Sequence, residues 1–114
     1  MGLVTKPWGY EYIWAESENY AGKILYINKG SRLSLQFHEK KEETIYVLSG
    51  ELLLVYGEKE EGLKEVRLKP GASWHIYPGL IHRFCAEEED VKLVEVSTAE
   101  LDDVVRLSDD YDRK

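Results

Sequence analysis

The 114-residue chain is shorter than the ~150 residues typical of a domain, and its 43% hydrophobic and 32% charged residues suit one globular unit rather than a disordered segment. Its 15 Lys and Arg against 22 Asp and Glu give a net charge of −7, all of it in the last quarter: residues 1–86 hold 11 acidic and 11 basic side chains, residues 87–114 hold 11 acidic and 4 basic. A neutral body with an acidic end and no basic stripe argues against nucleic acid or an anionic membrane surface as partner, since both need clustered Lys and Arg.

Taken in chain order, the sequence reads as short segments of alternating or β-branched and aromatic character, with almost no helical periodicity. It opens on Met1-Gly2-Leu3-Val4-Thr5-Lys6-Pro7, which lacks the apolar stretch of a secretory signal, so a cytoplasmic location is expected. Nine strands are predicted: Tyr10–Trp14, Lys23–Asn28, Leu33–His38, Thr44–Ser49, Glu51–Tyr56, Lys64–Leu68, Ser73–Tyr77, Arg83–Ala86 and Val91–Ser97. Turns are expected at Lys29-Gly30, Ser49-Gly50, Gly57 to Gly62, Pro70-Gly71, Pro78-Gly79 and Glu87 to Asp90, where the residues tolerate turn dihedrals. The longest apolar run, Leu52 to Tyr56, is far short of the ~20 residues of a membrane helix. The lone Cys85 allows no intrachain disulfide, suits a reducing compartment, and reads as a buried, inert thiol. Residues 99–107 form either a short helix or an edge segment, and residues 108–114 read as a frayed tail.

So many short strands in so small a chain imply an all-β sandwich or barrel. Within the segment Leu33–His38, alternation puts Leu33, Leu35 and Phe37 on one face and Ser34, Gln36 and His38 on the other. In a small barrel, polar groups that point inward mark a site.

The spacing of the remaining landmarks narrows the fold. Gly30, Gln36, His38, Glu43 and Gly50 stand at the intervals of G-x5-H-x-H-x3,4-E-x6-G, with Gln36 in the first histidine position. Gly71, Pro78, Gly79 and His82 follow G-x5-P-x-G-x2-H-x3-N, with Tyr77 for the proline and Ala86 for the asparagine. These resemble the two cupin motifs. Lys6-Pro7-Trp8-Gly9, Arg32 to His38, Thr44 to Gly50, His82-Arg83, and Asp102 to Leu107 with Asp109-Asp110-Tyr111 extend the likeness. Together they resemble the C-terminal isomerase cupin of type II phosphomannose isomerases (mannose-1-phosphate guanylyltransferases), and still more the small stand-alone cupins related to it. That family usually carries glutamine at the Gln36 position.

The resemblance implies a double-stranded β-helix, or jelly roll, in one domain over residues 1–114. Its core would span about residues 20–98, with an N-terminal strand within 1–19 and the acidic segment 99–114 packed on the barrel. It also implies a metal site of Gln36, His38, Glu43 and His82, with Glu42 the off-by-one competitor for Glu43. Nitrogen and oxygen donors of this kind suit a divalent Zn, Mn, Fe, Co or Ni ion without selecting among them. The implied activity is interconversion of mannose 6-phosphate and fructose 6-phosphate, or a related aldose–ketose pair, through a metal-stabilised enediolate. A non-catalytic metal- or sugar-binding cupin and a mononuclear-metal dioxygenase are the alternatives.

The expected ligand is a small anionic sugar or sugar phosphate, with Lys23, Arg83 and Arg106 as candidate phosphate contacts. The catalytic base is not legible; His75 and Arg83 are candidate catalytic groups, with Glu11 and Tyr46 further guesses. Trp8, Trp14 and Trp74 read as core or interface anchors. A homodimer is expected, through the faces bearing Leu33, Leu35 and Phe37 or Leu52, Leu54 and Tyr56, unless those faces pack the two sheets together.

Overall fold

The structure, a computed structural model, describes residues 2–112. Twelve strands follow one another, with no helix among the described residues. In order they are β1 (Gly2–Lys6), β2 (Gly9–Glu16), β3 (Ala21–Ile27), β4 (Ser31–Arg32), β5 (Leu35–Phe37), β6 (Glu43–Ser49), β7 (Leu52–Gly57), β8 (Lys64–Leu68), β9 (Ser73–Ile76), β10 (Ile81–Ala86), β11 (Val91–Ser97) and β12 (Val105–Ser108). One sheet runs β1-β2-β3-β11-β6-β9, and the other runs β12-β5-β10-β7-β8 with β4 also on β10. The strand pairs are antiparallel, and the two sheets enclose one core. This is the jelly-roll arrangement.

Period-two alternation builds that core and then opens it at one end. On β3, Ile27 and Leu25 point inward and Lys23 follows them on the same face; on β11 the inward series is Val91, Leu93, Glu95; on β6 it is Val47, Ile45, Glu43. The register pairs Leu25 with Leu93 and Lys23 with Glu95, and sets Leu93 against Val47 and Glu95 against Ile45. One end of the barrel is therefore filled with Ile27, Val91, Val47, Leu52, Leu54 and Phe84, while the same strands carry charge into the other end. Burying charged groups costs free energy unless they are paired, so the charges at this end must find partners inside the barrel.

Several expectations change. The segment Leu33–His38 is not one strand: the chain breaks between β4 and β5, where the Leu33 N–H donates to the Phe84 carbonyl at 2.9 Å and the Leu33 carbonyl accepts from Arg83. Leu33 thereby turns into the core, while Leu35 and Phe37 remain half-buried on the other face. Leu52 and Leu54 are fully buried between the sheets and are unavailable to a partner. Residues 99–107 contain no helix; the segment ends in β12, an edge strand on β5. The expected frayed tail is docked over residues 108–112: Asp110 takes two hydrogen bonds from Arg32 at 2.7 and 2.9 Å, and Tyr111 packs on the core. The last two residues of that expectation, 113 and 114, lie outside the described residues. Cys85 is buried, and burial pushes its thiol up to about 11, which leaves it protonated and inert.

Candidate metal centre

Three side chains meet at the polar end of the barrel. His38 follows β5, Glu43 starts β6 and His82 lies on β10; their donor atoms all fall within 4.8 Å of one another. Glu43 Oε1 sits 3.6 Å from His38 Nε2 and 3.5 Å from His82 Nε2. All three residues are buried, at 4%, 3% and 1% exposure.

The backbone fixes which ring nitrogen faces the cluster. His82 Nδ1 lies 2.9 Å from the Leu80 carbonyl, and His38 Nδ1 lies 2.5 Å from the Asp103 carbonyl. A carbonyl only accepts, so each Nδ1 carries the proton and each Nε2 is left as a lone-pair donor. Neither Nε2 has a hydrogen-bond partner, although both are buried. Two orphaned imidazole nitrogens aimed past one carboxylate oxygen are what a divalent cation needs, and carbonyl-anchored histidines are its usual support. Burial also holds the His82 pKa below its ordinary value despite the nearby Glu43, which keeps the ring neutral and able to ligate. Burial pushes the Glu43 carboxyl up, but its cationic surroundings, with the Lys41 ammonium 3.2 Å away, outweigh it and hold the carboxyl below its usual range.

The loop that carries these ligands is pinned from three sides. The Asp103 carboxylate accepts backbone N–H groups of Glu39, Lys40 and Lys41 at 3.0, 2.6 and 2.9 Å. Thr98 N–H donates to the Glu42 carbonyl at 3.0 Å. Gly79 N–H donates to the His38 carbonyl at 2.8 Å, so the Pro78-Gly79 turn locks one histidine loop to the other. Gly79 holds φ at +90°, a left-handed conformation that glycine adopts without strain.

The other expected site residues divide. Gln36 faces the same pocket, opposite His82 on β10 and Arg106 on β12, and its Oε1 accepts the Ser34 hydroxyl at 2.8 Å. Lys23 and Arg106 line the pocket wall, as do Lys6, Glu11 and Trp8. Glu42 points outward and contacts His75 Nε2 at 2.5 Å, both side chains about half exposed, so neither reaches the cluster. Tyr46 is likewise on the outer face. Arg83 lies on the opposite face of β10 from His82: its Nε donates to the Leu33 carbonyl at 2.9 Å and Nη2 to the Ser108 carbonyl at 3.0 Å. It ties the C-terminal segment to the barrel and does not line the pocket. Trp8 is core and pocket wall, Trp74 packs on Tyr56, and Trp14 is exposed.

Two buried charged pocket residues escaped the sequence reading. Lys41 belongs to the run Glu39 to Glu43, which looks like a solvated turn, yet it is 5% exposed with its Nζ 3.2 Å from Glu43 Oε2 and 3.3 Å from Glu95 Oε2. Glu95 is 4% exposed; burial, and then the neighbouring Glu43, push its carboxyl up to about 7 against the pull of Lys41 and Lys23. The available signal was phase: Glu95 continues the inward series Val91, Leu93.

Comparison with known proteins agrees with this fold. The family profile for the cupin domain matches residues 23–97. Mannose-1-phosphate guanylyltransferase 2 of Escherichia coli O157:H7 is 28% identical over 115 residues, which is 95% of this chain and 22% of that protein. The chain thus spans about a fifth of that curated relative. Among solved structures, KdgF from Halomonas sp. superposes with a TM-score of 0.76 at 19% identity, covering 90% of this chain and 91% of that one. CapF, a capsular polysaccharide assembling protein from Staphylococcus aureus, gives 0.82 at 13% identity, covering 93% and 34%. Oxalate decarboxylase from Bacillus subtilis gives 0.79 at 22% identity, covering 92% and 29%. Likenesses at these identities establish the fold.

Proposed function

The chain belongs to the cupin family, and we propose that it is a metal-dependent sugar-phosphate isomerase of the phosphomannose isomerase type, interconverting mannose 6-phosphate and fructose 6-phosphate or a related aldose–ketose pair. The observation that carries this reading is the pair of buried, unpartnered Nε2 atoms of His38 and His82 around Glu43, on a pocket whose wall also bears Lys6, Lys23 and Arg106. The likeness to a mannose-1-phosphate guanylyltransferase across 95% of the chain supports the choice of substrate class.

In this reading His38, Glu43 and His82 hold a divalent ion, with Gln36 as a further oxygen donor. The ion supplies Lewis-acid polarisation of a sugar oxygen. Lys23 and Arg106 hold the anionic group of the substrate. Two pocket carboxylates outside the ligand set, Glu11 and Glu95, are available to move a proton between adjacent carbons. Glu11 is fixed for that work by Lys6 at 3.5 Å and Lys23 at 3.4 Å.

We assign the protein to the reducing cytoplasm, where a lone buried thiol such as Cys85 is the ordinary case. We also place a second copy on the outer face of the β1-β2-β3-β11-β6-β9 sheet. There a cross-strand row Leu3, Tyr12, Ile24, Val94, Tyr46 follows the register, flanked by Trp14, Val96 and Leu48. Leu3, Tyr12, Trp14, Tyr46, Leu48 and Val96 are each 43–64% exposed there, an apolar surface a second copy would cover.

The test is elemental analysis of the purified protein, followed by a coupled assay over hexose and pentose phosphates. Metal-dependent turnover that disappears in a folded His38→Ala, His82→Ala variant is expected. Sugar-phosphate binding with no interconversion would replace the isomerase with a binding protein, and oxygen uptake by the Fe(II) form would replace it with a dioxygenase.

A further inference from the structure

The pocket wall alternates in charge from mouth to ligand cluster. Lys6 and Lys23 bracket Glu11, Lys23 faces Glu95 in the β3–β11 register, and Lys41 bridges Glu95 and Glu43 at 3.3 and 3.2 Å. The last link is the unusual one. An ammonium 5% exposed stands directly behind the carboxylate of a site built for a dication, where like charges repel. A buried charge of this kind is a poor source of stability compared with an apolar residue of similar volume, so a purely architectural reason is weak.

The two oxygens of Glu43 are divided between the two neighbours. Oε1 faces both histidine Nε2 atoms, and Oε2 faces Lys41. Glu95 competes with Glu43 for the same ammonium from the other side. We infer that Lys41 is a resident cation that sets the affinity of the site for divalent metal: it holds Glu43 through Oε2, leaves Oε1 alone to ligate, and is restrained from opposing the metal further by Glu95. This rests on the reading of His38, Glu43 and His82 as the metal ligands. Lys41 and Glu95 are positioning residues here, acting through Glu43.

The pair makes opposite predictions for two substitutions of similar size. Lys41→Met removes the competing cation from behind Glu43, so affinity for metal rises. Glu95→Gln removes the restraint, gives Lys41 wholly to Glu43, and lowers affinity. Each change is expected to be tenfold or more. A residue that only packs the wall would weaken binding in both variants.

The experiment is titration of chelator-stripped full-length protein with Zn²⁺ alone, against a chromophoric chelator, with the rise in melting temperature on adding Zn²⁺ as a second readout. Lys41→Met is expected to bind more tightly and gain more thermal stabilisation than wild type, and Glu95→Gln less of both. Lys41→Met combined with Glu95→Gln leaves no buried carboxylate facing a second one. It keeps the test open if the single variant does not fold, and is expected to bind tighter than Glu95→Gln alone. Zn²⁺ binding by wild type with both variants unchanged, or shifted the same way, overturns the role of Lys41 and leaves the ligand set standing. Absence of Zn²⁺ binding in wild type and every variant overturns the ligand set, and this inference with it.

Discussion

Arg83 provides the sharpest separation between a ligand contact and a structural tie. It is buried, and its guanidinium donates to the carbonyls of Leu33 at 2.9 Å and Ser108 at 3.0 Å. Hydrogen bonds involving a charged group contribute about 1.5–3 kcal/mol each, so two amount to roughly 3–6 kcal/mol. Burying the guanidinium offsets part of this, as the lowering of its pKa by burial indicates. Arg83→Met retains much of the apolar stem, so the cavity contribution is small, and a net loss of about 3 kcal/mol is expected. At roughly 4 °C per kcal/mol for a chain of this length, the melting temperature should fall by roughly 12 °C. Urea and thermal unfolding followed by tryptophan fluorescence measure it, and hydrogen exchange should quicken over β12, whose end Arg83 tethers. Arg83→Lys should recover little, because one ammonium does not reproduce a two-pronged fork. Unchanged stability together with weakened sugar-phosphate binding would refute the reasoning and return Arg83 to the ligand.

Two other outcomes follow from the same geometry. Three backbone N–H groups, those of Lys40, Glu39 and Lys41, pull the Asp103 carboxyl down to about 2 from its ordinary 3.8. A depressed carboxyl stabilises the fold above its unfolded pKa and loses that contribution as pH falls through the folded value. Asp103→Asn should therefore be less stable than wild type above about pH 4, with the gap closing toward pH 2 in acid unfolding followed by circular dichroism; a gap independent of pH would contradict this. On the outer sheet face, Tyr46→Lys places a charge in the middle of the exposed apolar row, 45% exposed at that position. Sedimentation velocity should show a dimer for wild type and a folded monomer for the variant, and a monomeric wild type would remove the interface.

Much of the site was legible because alternation and spacing are local properties. Gln36 and His38 were assigned to one strand face, and both line the pocket; Glu43 and His82 were placed by their intervals to Gly50 and Gly79. The interval from His38 admits Glu42 as well as Glu43, and only the interval to Gly50 favours Glu43. A strand alternates, so one of two adjacent glutamates must face out, and β6 begins with Glu43 in phase with Ile45 and Val47. Alternation bears on the candidate Arg83 in a related way: its neighbour His82 faces the cluster, which puts Arg83 on the other side of β10.

Other features depend on contacts between residues far apart in the chain. Nothing near Lys41 announces that Glu95, 54 positions later, closes an ion pair on it. Nothing near His38 reveals that its ring is oriented by the carbonyl of Asp103.

The net charge of −7 shows where the division falls. Composition alone placed the whole imbalance after residue 86, strand periodicity implied an all-β sandwich or barrel, and the resemblance to the cupin motifs supplied the histidines and glutamate of the ligand set. Folding decided what the acidic segment does. Glu95 enters the barrel beside Lys41, Asp103 caps the ligand loop, Asp110 clamps Arg32, and Asp90 accepts the Tyr26 hydroxyl. Sequence determines which residues share a strand face, because that follows from a two-residue repeat. Only the closed barrel determines which charges meet, because the register between strands distant in sequence brings them together.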